Sequence, residues 1–163
     1  MKPKDIINKA VNKLNQSLVK ELATQGHRLT GALERSIIGG YSIVEQNNNV
    51  EGNGFALDYA LDLENGGKIN GSYKDHVGKM VTYFKLRGLS DEEALKAAIL
   101  TSDRHKKEGI PTEASKRFSK TGERKHFISI AWKCNEKRID AIVENGTDSF
   151  FKNEFQKQKN ETI

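Results

Sequence analysis

The chain has 163 residues, of which 36% are hydrophobic and 30% charged, with a formal net charge of +5. That length and apolar content support one domain with a core of its own and argue against a disordered chain. The single cysteine, Cys134, excludes an internal disulfide and a cysteine metal cluster, and no run reaches the ~18 apolar residues that a membrane span needs.

The excess positive charge is compatible with nearby nucleic acid and equally with ordinary solubility. The first residues, Met1-Lys2-Pro3-Lys4-Asp5, lack the apolar run of a secretory signal. Cys134 has apolar neighbours at helical spacing and reads as a small core residue.

In chain order, the spacing predicts a first helix over residues 4–25. Ile7, Val11, Leu14, Leu18 and Leu22 recur at steps of three and four, and Ile6, Ala10 and Val19 widen the stripe. Gly26 is the expected stop. Thr30 to Ile37 reads as a short helix with Thr30 as N-cap, Leu33 and Ile37 on one face, and Gly39-Gly40 ending it. Two strands follow, joined across Asn47-Asn48-Asn49. The first alternates around Tyr41 and Ile43; the second alternates Phe55, Leu57 and Tyr59. Gly52 and Gly54 suggest a bulge, or a second strand that starts near Phe55. Residues 66–72 read as a loop without the spacing of a phosphate cradle.

Residues 75–87 predict a helix capped by Asp75, with Val77, Met80, Val81 and Phe84 on one face. Gly88 ends it. Ser90 and Glu93 then form a capping box for a helix that shows Leu95, Ala98, Ile99 and Ser102 on its apolar face and runs up to Gly109. The two make an αα-hairpin. Residues 111–122 lack periodicity and read as a mobile loop. Residues 126–132 fit either a strand or a helix by period; Ile128, Ala131, Asn135, Ile139, Ile142 and Val143 favour the helix. After Gly146 the chain is expected to restart as a helix capped by Thr147. It carries Phe150, Phe151 and Phe155, which either fold back on the core or dock on another chain.

Thr30, Gly31, Leu33, Ser36 and Ile37, followed by Tyr59, Ala60, Leu63, Glu64 and Gly66, resemble the helix start and strand end of phage neck proteins, the head–tail joining or tail-completion family. The resemblance continues through Phe84, Arg87, Gly88, Leu89, Glu92, Glu93, Ala97, Ala98, Ile99, Gly109, Ile110 and Pro111, then through Arg124-Lys125-His126-Phe127 before the last helix. It departs where His126 replaces a usual proline and where the chain continues past Gly146. It implies a non-enzymatic structural subunit that forms a six- or twelve-fold ring in the virion neck, between portal or adaptor and tail proteins. DNA would cross the channel without sequence-specific contact. Assembly would occur in the host cytoplasm. No cofactor or membrane is implied.

Chemistry has little support in the residue spacing. His27, His76, His105 and His126 show no metal-ligand spacing. Asp58, Asp62 and Glu64 are the one tight acidic cluster, and a metal-dependent nuclease would draft Lys68 or His76 beside it. The residues from Arg104 to Lys125 hold eight basic groups, Arg104, Lys106, Lys107, Lys116, Arg117, Lys120, Arg124 and Lys125, against the acids Glu108, Glu113 and Glu123. Such a segment suits phosphates, an acidic protein patch or plain solvent.

These readings predict an α+β fold: a small antiparallel sheet packed by long N- and C-terminal helices, with an inserted αα-hairpin. Residues 1–146 are expected to form the domain and 147–163 an extension between subunits. The eight basic residues are the expected lumen or partner contacts, and Phe150, Phe151 and Phe155 the expected subunit contacts. The alternatives are a basic nucleic-acid-binding module and the nuclease.

Overall fold

The computed structural model describes residues 2–47, 49–69 and 71–161. The fold is α+β, mostly helical with one two-stranded antiparallel sheet and long terminal helices. The elements are α1 (Pro3–Thr24), α2 (Ala32–Gly39), β1 (Tyr41–Gln46), β2 (Asn49–Gly54), α3 (Tyr59–Asn65), α4 (Tyr73–Leu86), α5 (Asp91–Glu108), a 3-10 helix (Glu113–Phe118) and α6 (Phe127–Glu161). They fall into two compact units. The first comprises Met1–Ala23, Thr30–Leu57 and Ile128–Ile163; the second comprises Thr24–Leu29 and Asp58–Phe127.

In the first unit, α1 buries Ile6, Ala10 and Leu22, and half-buries Ile7 and Val11. Asn15 is also buried on α1. Its amide donates to the Ile37 carbonyl at 3.0 Å, one of the last-turn acceptors that α2 itself leaves open. Helix α2 buries Leu33 and Ile37 as its pattern predicts. Its N-cap is Gly31 at φ 71, one residue beyond Thr30, whose hydroxyl accepts from the Ala32 N–H at 3.3 Å.

The strands pair from Tyr41↔Gly54 to Gln46↔Asn49. Asn47 takes the positive φ that the turn requires. Asn48 of that expected turn, and Asn70 of the expected 66–72 loop, lie outside the described residues. The second strand runs through Gly52 and Gly54 and stops there, so the expected strand over Phe55, Leu57 and Tyr59 is corrected. The glycines are the reason for the placement. A Cβ on Gly52 would stand 2.5 Å from Val11 Cγ2 and 3.2 Å from Ile7 Cγ2. Only a bare backbone lets α1 lie this close to the sheet.

Helix α6 runs for 35 residues and does not break at Gly146, which corrects the expected restart at Thr147. Gly146 is buried, and a Cβ there would meet Ile6 Cγ2 at 2.7 Å. The glycine marks a close helix crossing rather than a stop. Residues 126–132 resolve as His126 followed by the first turns of α6. Cys134 is exposed on α6 rather than in the core, because the buried line of this helix runs through Phe127, Ala131 and Ile139.

In the second unit, Tyr59–Asn65 is the helix α3, not a strand end. Its sequence has a period of two only over four residues, and Ala60 and Glu64, four apart, are its buried pair. Ser72, rather than Asp75, caps α4 and accepts from the Asp75 N–H at 3.5 Å. Helix α4 closes with a Schellman pattern: Gly88 N–H donates to the Lys85 carbonyl at 2.9 Å, and Leu89 N–H to that of Phe84 at 3.2 Å. The Ser90–Glu93 capping box then starts α5 as predicted.

Helices α4 and α5 pack against each other. The buried face of α5 is Ala94, Ala98 and Ser102, a seam of small side chains, while Leu95 and Ile99 are exposed. Ser102 Oγ is buried without a hydrogen-bond partner. We expect Ser102→Ala to be neutral or stabilising by up to ~1 kcal/mol, and Ser102→Leu to destabilise by about 2–3 kcal/mol through overpacking. Urea unfolding of both variants checks the pair; equal stability would refute a tight seam.

Candidate functional site

Residues 111–122, expected to be a loop without periodicity, have local structure of their own. They contain the 3-10 helix Glu113–Phe118, and backbone bonds hold the segment in place. Lys120 N–H donates to the Thr24 carbonyl at 2.9 Å, and Ser119 N–H to that of Lys116 at 3.0 Å. Gly67 and Ile110 exchange a pair of backbone bonds at 2.9 and 2.7 Å, which anchors the segment's start. The missing periodicity reflects a 3-10 turn and a clamped loop, neither of which has a helix or strand repeat.

Arg124 is the centre of the clamp. Its guanidinium donates to the Ser115 carbonyl at 3.1 Å, to the Gly26 carbonyl at 3.5 Å and to His27 Nδ1 at 3.1 Å. His27 Nε2–H in turn donates to the Arg124 carbonyl at 3.0 Å. Because Nδ1 accepts from a cation, the ring is the neutral Nε2–H tautomer. Burial, and then the Arg124 charge, push the His27 pKa down to about 4. Burial also lowers the Arg124 pKa. Gln25, fully buried, donates to the Lys125 carbonyl at 2.9 Å. The Glu123 carboxylate accepts the Lys125 and Arg124 N–H groups at 3.0 and 2.9 Å, which holds it below the usual carboxylate range.

The eight basic candidates therefore divide. Arg104, Lys106 and Lys107 are exposed on the last turns of α5; Lys116, Arg117 and Lys120 are exposed on or just after the 3-10 helix. Lys116 pairs with Glu113 at 2.9 Å, and the Arg117 guanidinium lies 4.9 Å from the centre of the Phe118 ring. Arg124 and Lys125 are half-buried, and the Arg124 guanidinium faces inward. Six of the eight thus present charge to solvent.

Among the acids, Asp58 precedes α3, Asp62 lies exposed on it, and Glu64 is buried with its Oε1 3.9 Å from His126 Nδ1. Among the described residues no group of three or more His, Cys, Asp or Glu side chains is placed to hold a metal ion. His76, the suggested helper of this cluster, instead meets His105: His76 Nε2 and His105 Nδ1 are 2.9 Å apart, with the rings edge-on at 5.2 Å. Their sequence separation of 29 hid this contact. The αα-hairpin reverses the chain and sets α4 beside α5, so only a register for that hairpin could have found it.

In the first unit, Phe150 is half-buried, but Phe151 and Phe155 are 64% and 68% exposed. Phe150 and Phe151 meet edge-on at 5.5 Å. Lys2 shares a shallow cleft with Phe150, Glu154 and Lys157, while Ile6 lies at Gly146, so α1 and α6 run antiparallel here. The residues of α6 after Gly146 extend for about 20 Å, whereas α1 has only about 5 Å before Ile6. Phe151 and Phe155 are exposed on this last stretch of α6, beside the cleft that Lys2 shares with Gln156 and Asn160.

No helix among the described residues is long and apolar enough to cross a membrane. Comparison of the chain with protein-family models, with curated proteins and with solved structures gave no match.

Proposed function

We propose that the chain is a structural subunit of a phage virion that assembles with copies of itself into a ring in the neck, between portal and tail. The last turns of α6, with Phe151 and Phe155 largely bare, carry this reading. Two large aromatic side chains four residues apart make one apolar stripe on a helix, and such a stripe is a docking surface for a neighbour. The sequence resemblance supplies the neck setting. The strand end of that resemblance falls on α3, so the reading leans on the tail and on the αα-hairpin, whose Gly88–Leu89 turn and capping box are formed. In this reading the chain is not an enzyme, takes no cofactor, and adjoins the portal or adaptor, the tail proteins and passing DNA.

Native mass spectrometry of the full chain at micromolar concentration is the direct test. A closed ring of defined copy number is the expected result, and the double variant Phe151→Ser/Phe155→Ser is expected to run as a monomer with unchanged helical content. A wild-type chain that stays monomeric at every concentration would sink the proposal.

One observation favours a second reading: six exposed basic side chains lie in the segment 104–120. A nucleic-acid-binding module would show affinity for DNA that falls steeply with salt. Lys116→Glu/Arg117→Glu/Lys120→Glu would abolish that binding while leaving ring assembly intact.

A further inference from the structure

We infer that His76 and His105 form a two-histidine clip for a borderline divalent transition-metal ion such as Zn²⁺ or Ni²⁺. The rings come from facing helices of the αα-hairpin, and their nearest nitrogens are 2.9 Å apart. Two nitrogens bound to one ion at about 2.05 Å lie about 2.9 Å apart for a right-angled pair and about 3.4 Å apart for a tetrahedral one. The observed gap matches the first in distance and a half-ångström opening reaches the second; in either case both rings turn out of their mutual hydrogen bond so that the lone pairs converge beside the N···N line.

The protonation state also fits. Both imidazoles are held toward the neutral form, by burial and by neighbouring positive charge, and neutral imidazole is the ligand. One ring now donates its N–H to the other. On binding, that ring moves its proton to its outer nitrogen, His76 Nδ1 or His105 Nε2, and both lone pairs face the gap. No net proton is released. Both rings are half-buried, so water can complete the coordination.

The surrounding charges are mixed. Lys79 on α4 opposes a cation at His76, and Glu108 on α5 favours one at His105. Asp103, one turn before Lys106, accepts from the Tyr73 hydroxyl at 2.7 Å and is engaged there. Two protein ligands and a nearby lysine point to micromolar rather than structural-zinc affinity. Imidazole donors select Zn²⁺, Ni²⁺ and Cu²⁺ over Mg²⁺ and Ca²⁺.

The test is calorimetry of the untagged full chain carrying Cys134→Ser, since that exposed thiol would compete. Saturable one-to-one Ni²⁺ and Zn²⁺ binding at pH 7.5 is expected, with no response to Mg²⁺. Affinity should fall about tenfold or more in both His76→Phe and His105→Phe. Should either variant fail to fold, mass-spectrometric mapping of diethylpyrocarbonate modification on the parent chain decides, with Zn²⁺ expected to protect His76 and His105 selectively. Absence of saturable binding, equal binding in folded variants, or protection at His27 and His126 instead would overturn the assignment.

Discussion

Gly146→Val is expected to destabilise the chain by about 2–4 kcal/mol, and shortening Ile6 is expected to restore part of that loss. A Cβ at position 146 would stand 2.7, 2.9 and 3.1 Å from Ile6 Cγ2, Cγ1 and Cδ1. Ile6 is 3% exposed, so its side chain cannot give way without disturbing its buried surroundings. Overpacking of this kind costs about 1–3 kcal/mol, and the β-branch adds rotamer strain in a helix. Valine is nonetheless a better helix former than glycine by a few tenths of a kcal/mol, so propensity opposes the effect weakly. The contact wins because its penalty is several times larger. Ile6→Ala alone also destabilises, by loss of buried area. In the double variant the new methyls occupy the vacated volume, so a double-mutant cycle should show a favourable coupling of at least ~1 kcal/mol. Purely additive losses in urea unfolding would mean that α1 and α6 do not meet at this point.

The second large effect is acid sensitivity. His27 and His105 each have a folded-state pKa near 4, against an ordinary value of 6.5. The folded state therefore holds the neutral rings, and the unfolded chain binds more protons between the two values. Stability is then fully present above about pH 6.5 and is lost as the pH falls toward 4. The interval corresponds to at most ~3 kcal/mol per group, and partial solvent exposure reduces this to about 1–2 kcal/mol each. His76 shifts in the same direction and adds to the slope. The lowered carboxyls of Glu93 and Glu123 act in a separate window, below their ordinary 4.5, where protonation removes their hydrogen bonds. Urea midpoints at pH 7.0, 5.5 and 4.5 should fall steadily in the parent chain. His27→Gln, which cannot titrate, should flatten the decline. Its amide can still accept from Arg124, so the neutral-pH stability should fall by only about 1 kcal/mol. A parent chain equally stable at pH 7.0 and 4.5 would show that neither ring is held neutral.

Most of the helices, and the way several of them end, are legible in local pattern alone. Apolar steps of three and four located α1, α2, α4 and α5, and local chemistry located the Ser90–Glu93 box and the Gly88 turn, because both are built from residues within one turn of each other. The α+β class followed from the same local patterns. The roles of the glycines and polar residues emerge only from packing. Gly52 and Gly146 looked like interruptions, yet each is a place where α1 comes close to another backbone, and no local signal distinguishes a break from a close approach. Tyr59–Asn65 was too short for its period to choose between strand and helix. Arg124 looked like one more exposed cation, but closure of residues 24–29 onto 115–125 turns it inward. His76 and His105 became neighbours only when α4 and α5 paired. Contacts between residues far apart in the chain depend on register and packing depth, and a one-dimensional pattern does not carry those.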